Sequence, residues 1–275
     1  MTERLVPERD SDNNAPYPGP QSPNRVLRLL ETLAKSGEGL PLVRICESLD
    51  FPKTTVLNQL RALEATGYVA NSDGIYALGP LSYRLGLIIA SSFRLTATLH
   101  PLLVTLASKC RETVMLGMLD EIRNEVSYVD IAQPEVPVRY FAEIGTYRPL
   151  YCTAIGRAIL AFQDENFLNR YFRTTALATH TPNTETDVDR LRHLLQEVRR
   201  KEVACTAGEY DSTTGAVAAP IFDKSGRVAF SVNIAAPIER LVSRKEELTP
   251  LVHEAGRYFS QVLGYTPSER RIDEQ

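Results

Sequence analysis

The sequence predicts an α+β chain: a winged helix-turn-helix, then a larger domain in which helices pack on a mainly antiparallel sheet. Three observations carry this. Residues 24–66 hold three short helical repeats with tight breaks between them, and residues 68–78 read as a hairpin. From Thr113 the rhythm changes to short strands interleaved with helices. At 275 residues the chain exceeds what one core needs, so two domains are expected.

The first helix starts near Asn24. Val26, Leu27, Leu30, Leu33 and Ala34 fall at helical spacing, and Gly37 ends it. Pro41 suits the first position of a second helix, with Leu42, Ile45, Cys46 and Leu49 on one face. Asp50-Phe51-Pro52 breaks it, giving the three-residue turn a helix-turn-helix needs. The third helix runs from about Lys53 to Thr66, turns Val56, Leu57, Leu60 and Leu63 inward, and is capped by Gly67. Tyr68–Ala70 and Ile75–Leu78 then flank a turn at Asp73-Gly74, the signature of a β-hairpin.

Pro80 opens a connector helix to about Ser92, aligned through Leu81, Leu85 and Ile88, and a longer helix follows from about Thr98 to Glu112. Strands are expected at Val114–Leu119, Glu125–Ala132 and Val136–Ala142. A helix begins after Cys152, a short one at Asp164 and a longer one over Thr186–Arg200. Strands return at Val203–Ala207, Gly215–Phe222 and Arg227–Ala235. A last helix spans about Arg244–Leu263, with Ser243 and Glu246 as a capping box. The resulting organisation is an arm over 1–22, the winged head over 23–79, a linker helix over 80–97, the large domain over 98–265 and a tail over 266–275. The arm carries four prolines among polar residues and is expected to be disordered.

A net charge of −3 argues against a protein that coats nucleic acid, but not against a small DNA-binding module. Residues 23–86 carry seven basic and six acidic side chains, so a case for DNA must rest on pattern. The four cysteines are scattered and His100, His180, His193 and His253 are dispersed; no metal or cofactor is expected. No apolar run reaches the ~18 residues of a membrane span and no signal peptide opens the chain, so a reducing cytoplasm is expected.

Three blocks resemble the IclR family of bacterial regulators. The first is the head: Arg25–Leu30, Phe51–Val56, Leu60–Val69 and Tyr76–Gly79. The second is Arg148–Ala161, and the third is Gly208-Glu209-Tyr210 leading to Ala218–Asp223. The resemblance implies a GAF-like effector-binding domain, ligand-modulated binding of double-stranded operator DNA, and a homodimer or dimer of dimers. Asn58 stands where the family usually has arginine. Thr213 stands where a glycine is common, and the adjacent Thr214 and Gly215 also differ.

Two sites follow. A recognition helix offers its N-terminal residues to base edges in the major groove. Here these are Lys53, Thr54 and Thr55, then Asn58, Gln59 and Arg61 a turn later. Lysine and threonine suit phosphates; Asn58 or Gln59 could read adenine, though their faces differ. In the large domain, the unpaired N–H groups opening the helix after Cys152 favour an anion. Thr153 can cap that helix. The resemblance places the N–H groups of Ala154 and Ile155, and the side chain of Arg148, at an effector cavity. Tyr140 and Tyr210 could wall such a cavity, Asn233 could supply a polar end, and Glu209 sits on the loop that closes it. The expected ligand is a small organic acid. Glu209 and Asp211 come from one segment with no histidine beside them, so they make a poor acid–base pair and no enzyme is expected. The rival reading is a GAF-like thiol reductase or redox sensor using Cys152, Cys110 and Cys205, which would have no need of a winged head.

Overall fold

The computed structural model describes residues 21–92 and 94–266, with side chains omitted at 21 and 90–97. The expected arm and tail lie almost wholly outside these residues. The chain divides into two compact units, at residues 92/93.

The first unit comprises α1 (Gln21–Ser36), β1 (Leu40–Pro41), α2 (Leu42–Leu49), α3 (Lys53–Ala65), β2 (Val69–Ser72), β3 (Ile75–Leu78) and α4 (Pro80–Ser92). Leu29 and Leu33 of α1, Ile45 and Leu49 of α2, and Val56 and Leu60 of α3 form one core with Val69 and Tyr76. Asp50 takes a left-handed conformation after α2 and its N–H donates to the Cys46 carbonyl, so the chain reverses at once into α3. β2 and β3 pair from Val69↔Leu78 to Ser72↔Ile75. Asp73 and Gly74 both have positive φ, the geometry of the tight hairpin turn that Asp-Gly favours. Pro41 does not open α2 from within. It is the N-cap and belongs to β1, which adds a third strand beside β3 through Leu40↔Tyr76. A two-residue strand carries no periodicity to read.

The second unit comprises α5 (Arg94–Cys110), β4 (Thr113–Asp120), β5 (Glu125–Ala132), β6 (Tyr147–Pro149), α6 (Ala154–Leu160), α7 (Glu165–Thr174), α8 (Val188–Lys201), β7 (Ala204–Ala207), β8 (Thr214–Phe222), β9 (Val228–Pro237) and α9 (Ile238–Val262). Its six strands lie in the order β6-β5-β4-β9-β8-β7, every neighbour antiparallel. Strand alternation sorts the side chains between two cores. Val114 and Leu116 of β4, with Val232 and Ile234 of β9, pack with α5 and α9. Met115 and Ala235 point the other way, toward α6, α7 and α8.

Three expectations fail here. Val136–Ala142 is not a strand: Pro134 and Pro137 cannot donate to a ladder, and the edge of the sheet is instead β6, paired with β5 at Val126↔Arg148. The last helix starts at Ile238, not Arg244. Ser243 therefore lies inside it, donating to the Arg240 carbonyl, and no capping box forms. The helix expected from Thr98 starts at Arg94. Among the described residues no helix is long and apolar enough to cross a membrane.

Candidate functional site

On the α6 side of the sheet a cavity opens with about 520 Å³ of space, open solvent at its mouth included. Arg148 reaches it from β6 and Asn233 from β9. Thr153, Ala154 and Ile155 reach it from the start of α6, Glu209 and Tyr210 from the β7–β8 loop, and Tyr140 from the segment before β6. All eight sequence-selected residues thus line one space. Tyr128 of β5 joins them, a residue the sequence reading passed over although strand alternation places it beside Val126.

The polar atoms around this space are unevenly satisfied. Thr153 caps α6, its hydroxyl accepting from the Gly156 N–H at 3.2 Å and donating to the Pro149 carbonyl at 2.7 Å. Its one hydroxyl proton is therefore committed. Arg148 is half-buried. Its guanidinium lies 5.0 Å from the Tyr210 ring centre and 5.8 Å from that of Tyr128, and one amino group donates to the Tyr147 carbonyl. Its Nε is buried with no hydrogen-bond partner. Asn233 is 2% exposed, and its Oδ1 likewise has none. A buried donor and a buried acceptor without partners, each on a residue that lines this cavity, call for ligand or water atoms. Burial, with Tyr140 adding to it, pushes the Tyr128 phenol far above its usual range, so it stays neutral.

Neither loop carboxylate is free to act as acid or base. Glu209 is held by Arg157, a buried cation the sequence reading missed. Asp211 accepts from the Thr213 N–H and hydroxyl, both at 2.8 Å, and from the Thr214 hydroxyl. These bonds hold its carboxyl below the usual range and close the loop on itself. The loop is tied down from outside: Thr181 donates to the Gly208 carbonyl and Thr184 to that of Glu209, each at 2.6 Å.

In the first unit, α3 exposes Lys53 and Thr54 at its start and Asn58 and Arg61 a turn later. Thr55 and Gln59 are half-buried. The Gln59 carbonyl oxygen is covered and unpartnered.

Residues 22–73 match the IclR helix-turn-helix domain, and residues 88–261 match the bacterial transcriptional regulator IclR C-terminal domain. The chain belongs to the IclR family. It is 30% identical to the DNA-binding transcriptional repressor YiaJ of Escherichia coli K12 over 254 residues, covering 90% of this chain and 89% of that one. A crystal structure of an IclR transcriptional regulator from Alicyclobacillus acidocaldarius superposes with a TM-score of 0.78 at 29% identity, covering 89% of this chain and 99% of the other. An IclR homologue from Microbacterium hydrocarbonoxydans, solved with 4-hydroxybenzoate, shares the fold at a TM-score of 0.77 and 22% identity, covering 88% and 99%. This IclR-family chain is a DNA-binding transcriptional regulator, and its relatives are regulators rather than enzymes.

The thiols of this regulator are poorly placed for redox work. All four are free. Burial pushes Cys152 and Cys110 up to about 11 and raises Cys205 as well, which keeps them protonated at neutral pH. Among the described residues no three His, Cys, Asp or Glu side chains gather as a metal site.

Proposed function

We propose that this regulator answers to a small aromatic hydroxy acid. The observation that carries the reading is the pair of unsatisfied groups in one cavity: the Arg148 Nε, a cationic donor, and the Asn233 Oδ1, an acceptor. The acid's carboxylate meets Arg148 and the first N–H groups of α6, at Ala154 and Ile155, where an anion is favoured. Its ring lies against Tyr140, Tyr128 and Tyr210, and its hydroxyl donates to Asn233. The 4-hydroxybenzoate of the Microbacterium hydrocarbonoxydans homologue has this chemistry and supports the assignment. The cation formed by Arg157 neutralises Glu209, and the other lining carboxylate, Asp211, is turned onto Thr213 and Thr214. Operator DNA is read by α3 of a homodimer or dimer of dimers, in the cytoplasm, through Lys53, Thr54, Thr55, Asn58 and Arg61. The acid shifts the regulator between two states only by binding them unequally.

Isothermal titration with 4-hydroxybenzoate tests this. Arg148→Ala should weaken acid binding by about 1–3 kcal/mol, the range for a hydrogen bond to a charged group, and leave operator binding without acid unchanged. Equal binding by the variant, or a natural effector that is neutral or cationic, refutes the anion cavity.

A further inference from the structure

A second concavity lies between α8 and α9, along β7 at the end of the sheet, with about 1140 Å³ of space, open solvent included. It is distinct from the first. Arg157 lines it while Glu209, the carboxylate Arg157 holds, lines the effector cavity, so this ion pair stands as the wall between them.

Its walls are apolar on α8 through Leu194 and Val198, and on α9 through Pro250. Most of its lining charges are paired, Arg157 with Glu209 and Lys201 with Glu197. Arg157, Lys201 and Lys245 face a single lining acid, Glu197, and Glu197 is occupied by Lys201 at 3.1 Å. Lys245 reaches the Cys205 thiol and makes no salt bridge among the described residues. An apolar trough with one ammonium at its side that pairs with no carboxylate has the recognition chemistry of an amphipathic anion.

We infer that this groove binds a monocarboxylate with an apolar tail, its head on Lys245 and its tail against Leu194, Val198 and Pro250. The inference stands independently of the effector reading above.

Octanoate is the probe and half-buried Cys205 the reporter. The rate of Cys205 alkylation by iodoacetamide at alkaline pH, read by peptide mass spectrometry on the full chain, should fall as octanoate is added. Arg148→Ala should be protected as well as the parent. Lys245→Gln should need about fivefold more octanoate for half-protection, the scale of an exposed ion pair, and Lys245→Glu more again. Octanol, with the same tail and no charge, should also need about fivefold more for half-protection. Absence of protection, equal protection by octanol, or protection lost in Arg148→Ala but kept in the Lys245 variants would each overturn the groove as an anion site.

Discussion

Arg157 and Glu209, 52 residues apart in the chain, are joined by two parallel hydrogen bonds between guanidinium and carboxylate. Arg157 is 3% exposed, and its Nε donates to the Tyr151 carbonyl at 2.6 Å. The pair fixes the β7–β8 loop to α6 beside the first cavity. Its members also set the charge on either side of the wall they form.

Arg157→Met should therefore cost about 3–5 kcal/mol at neutral pH, because it strands a buried carboxylate. Burial already raises the Glu209 carboxyl, and Arg157 opposes that rise. A carboxyl raised in the fold stabilises through its protonated form, fully below the ordinary glutamate range and progressively less as pH climbs through the raised value. Without Arg157 the rise is larger. The variant should regain stability on acidification from about pH 7.5 to about pH 5.5, and adding Glu209→Gln should restore most of the loss. Urea unfolding at both pH values decides it; a loss equal at the two would show that Glu209 is not the stranded group.

The Asn233 Oδ1 sets discrimination rather than overall binding. Parent protein should prefer 4-hydroxybenzoate over benzoate by about 1 kcal/mol, the net worth of one hydrogen bond. Asn233→Leu should bring the two acids to parity by weakening the hydroxylated one. A preference that survives in the variant would mean the hydroxyl pairs elsewhere.

On α3, exposed Lys53 and exposed Asn58 should separate by readout. Lys53→Ala should weaken every DNA sequence alike and reduce the salt slope by roughly one. Asn58→Ala should alter preference at one base pair by about 1–3 kcal/mol. Gln59→Ala should leave base preference as it was, since its carbonyl oxygen is covered. Anisotropy titrations over a set of operator variants at several salt concentrations distinguish the three.

The raised thiols predict an alkaline limit. A thiol whose proton is held more tightly in the fold contributes stability below its ordinary range near 9.0 and loses it as pH rises toward about 11. Stability should hold to about pH 9 and then decline, and Cys110→Ser should flatten the decline. A melting temperature unchanged between those limits would show that neither buried thiol ionises on unfolding.

Much of the large unit was legible because strand alternation is a local signal: the same period that put Met115 and Asn233 on one face brought the selected residues to one cavity. What escaped reading was non-local. Arg157 sits in a helix among small residues and reads as a solvated position, since arginine is seldom buried; only Glu209, far along the chain, explains it. Val136–Ala142 alternates like a strand, but Pro137 within it and Pro134 just before it deny it a ladder. The start of α9 was misplaced because Ser243 and Glu246 mimic a cap inside a helix that Pro237 already opens.

The connector helix α4 exposes Tyr83 at 71% and Leu87 at 54% within one chain. Leu81 and Leu85 are exposed as well, so apolar side chains occupy a wide arc of this helix. Such an arc implies a partner helix, and a two-fold operator needs two recognition helices one turn of DNA apart. The regulator should therefore be at least dimeric at micromolar concentration, and Tyr83→Glu with Leu87→Glu should shift it toward monomer by placing charge in the contact. Operator affinity should fall together with the dimer. Binding of 4-hydroxybenzoate should persist, because its cavity is built wholly within the second unit. Light scattering at matched concentrations separates the cases: a parent that is monomeric, or a double variant that remains a dimer, would remove α4 as the subunit contact.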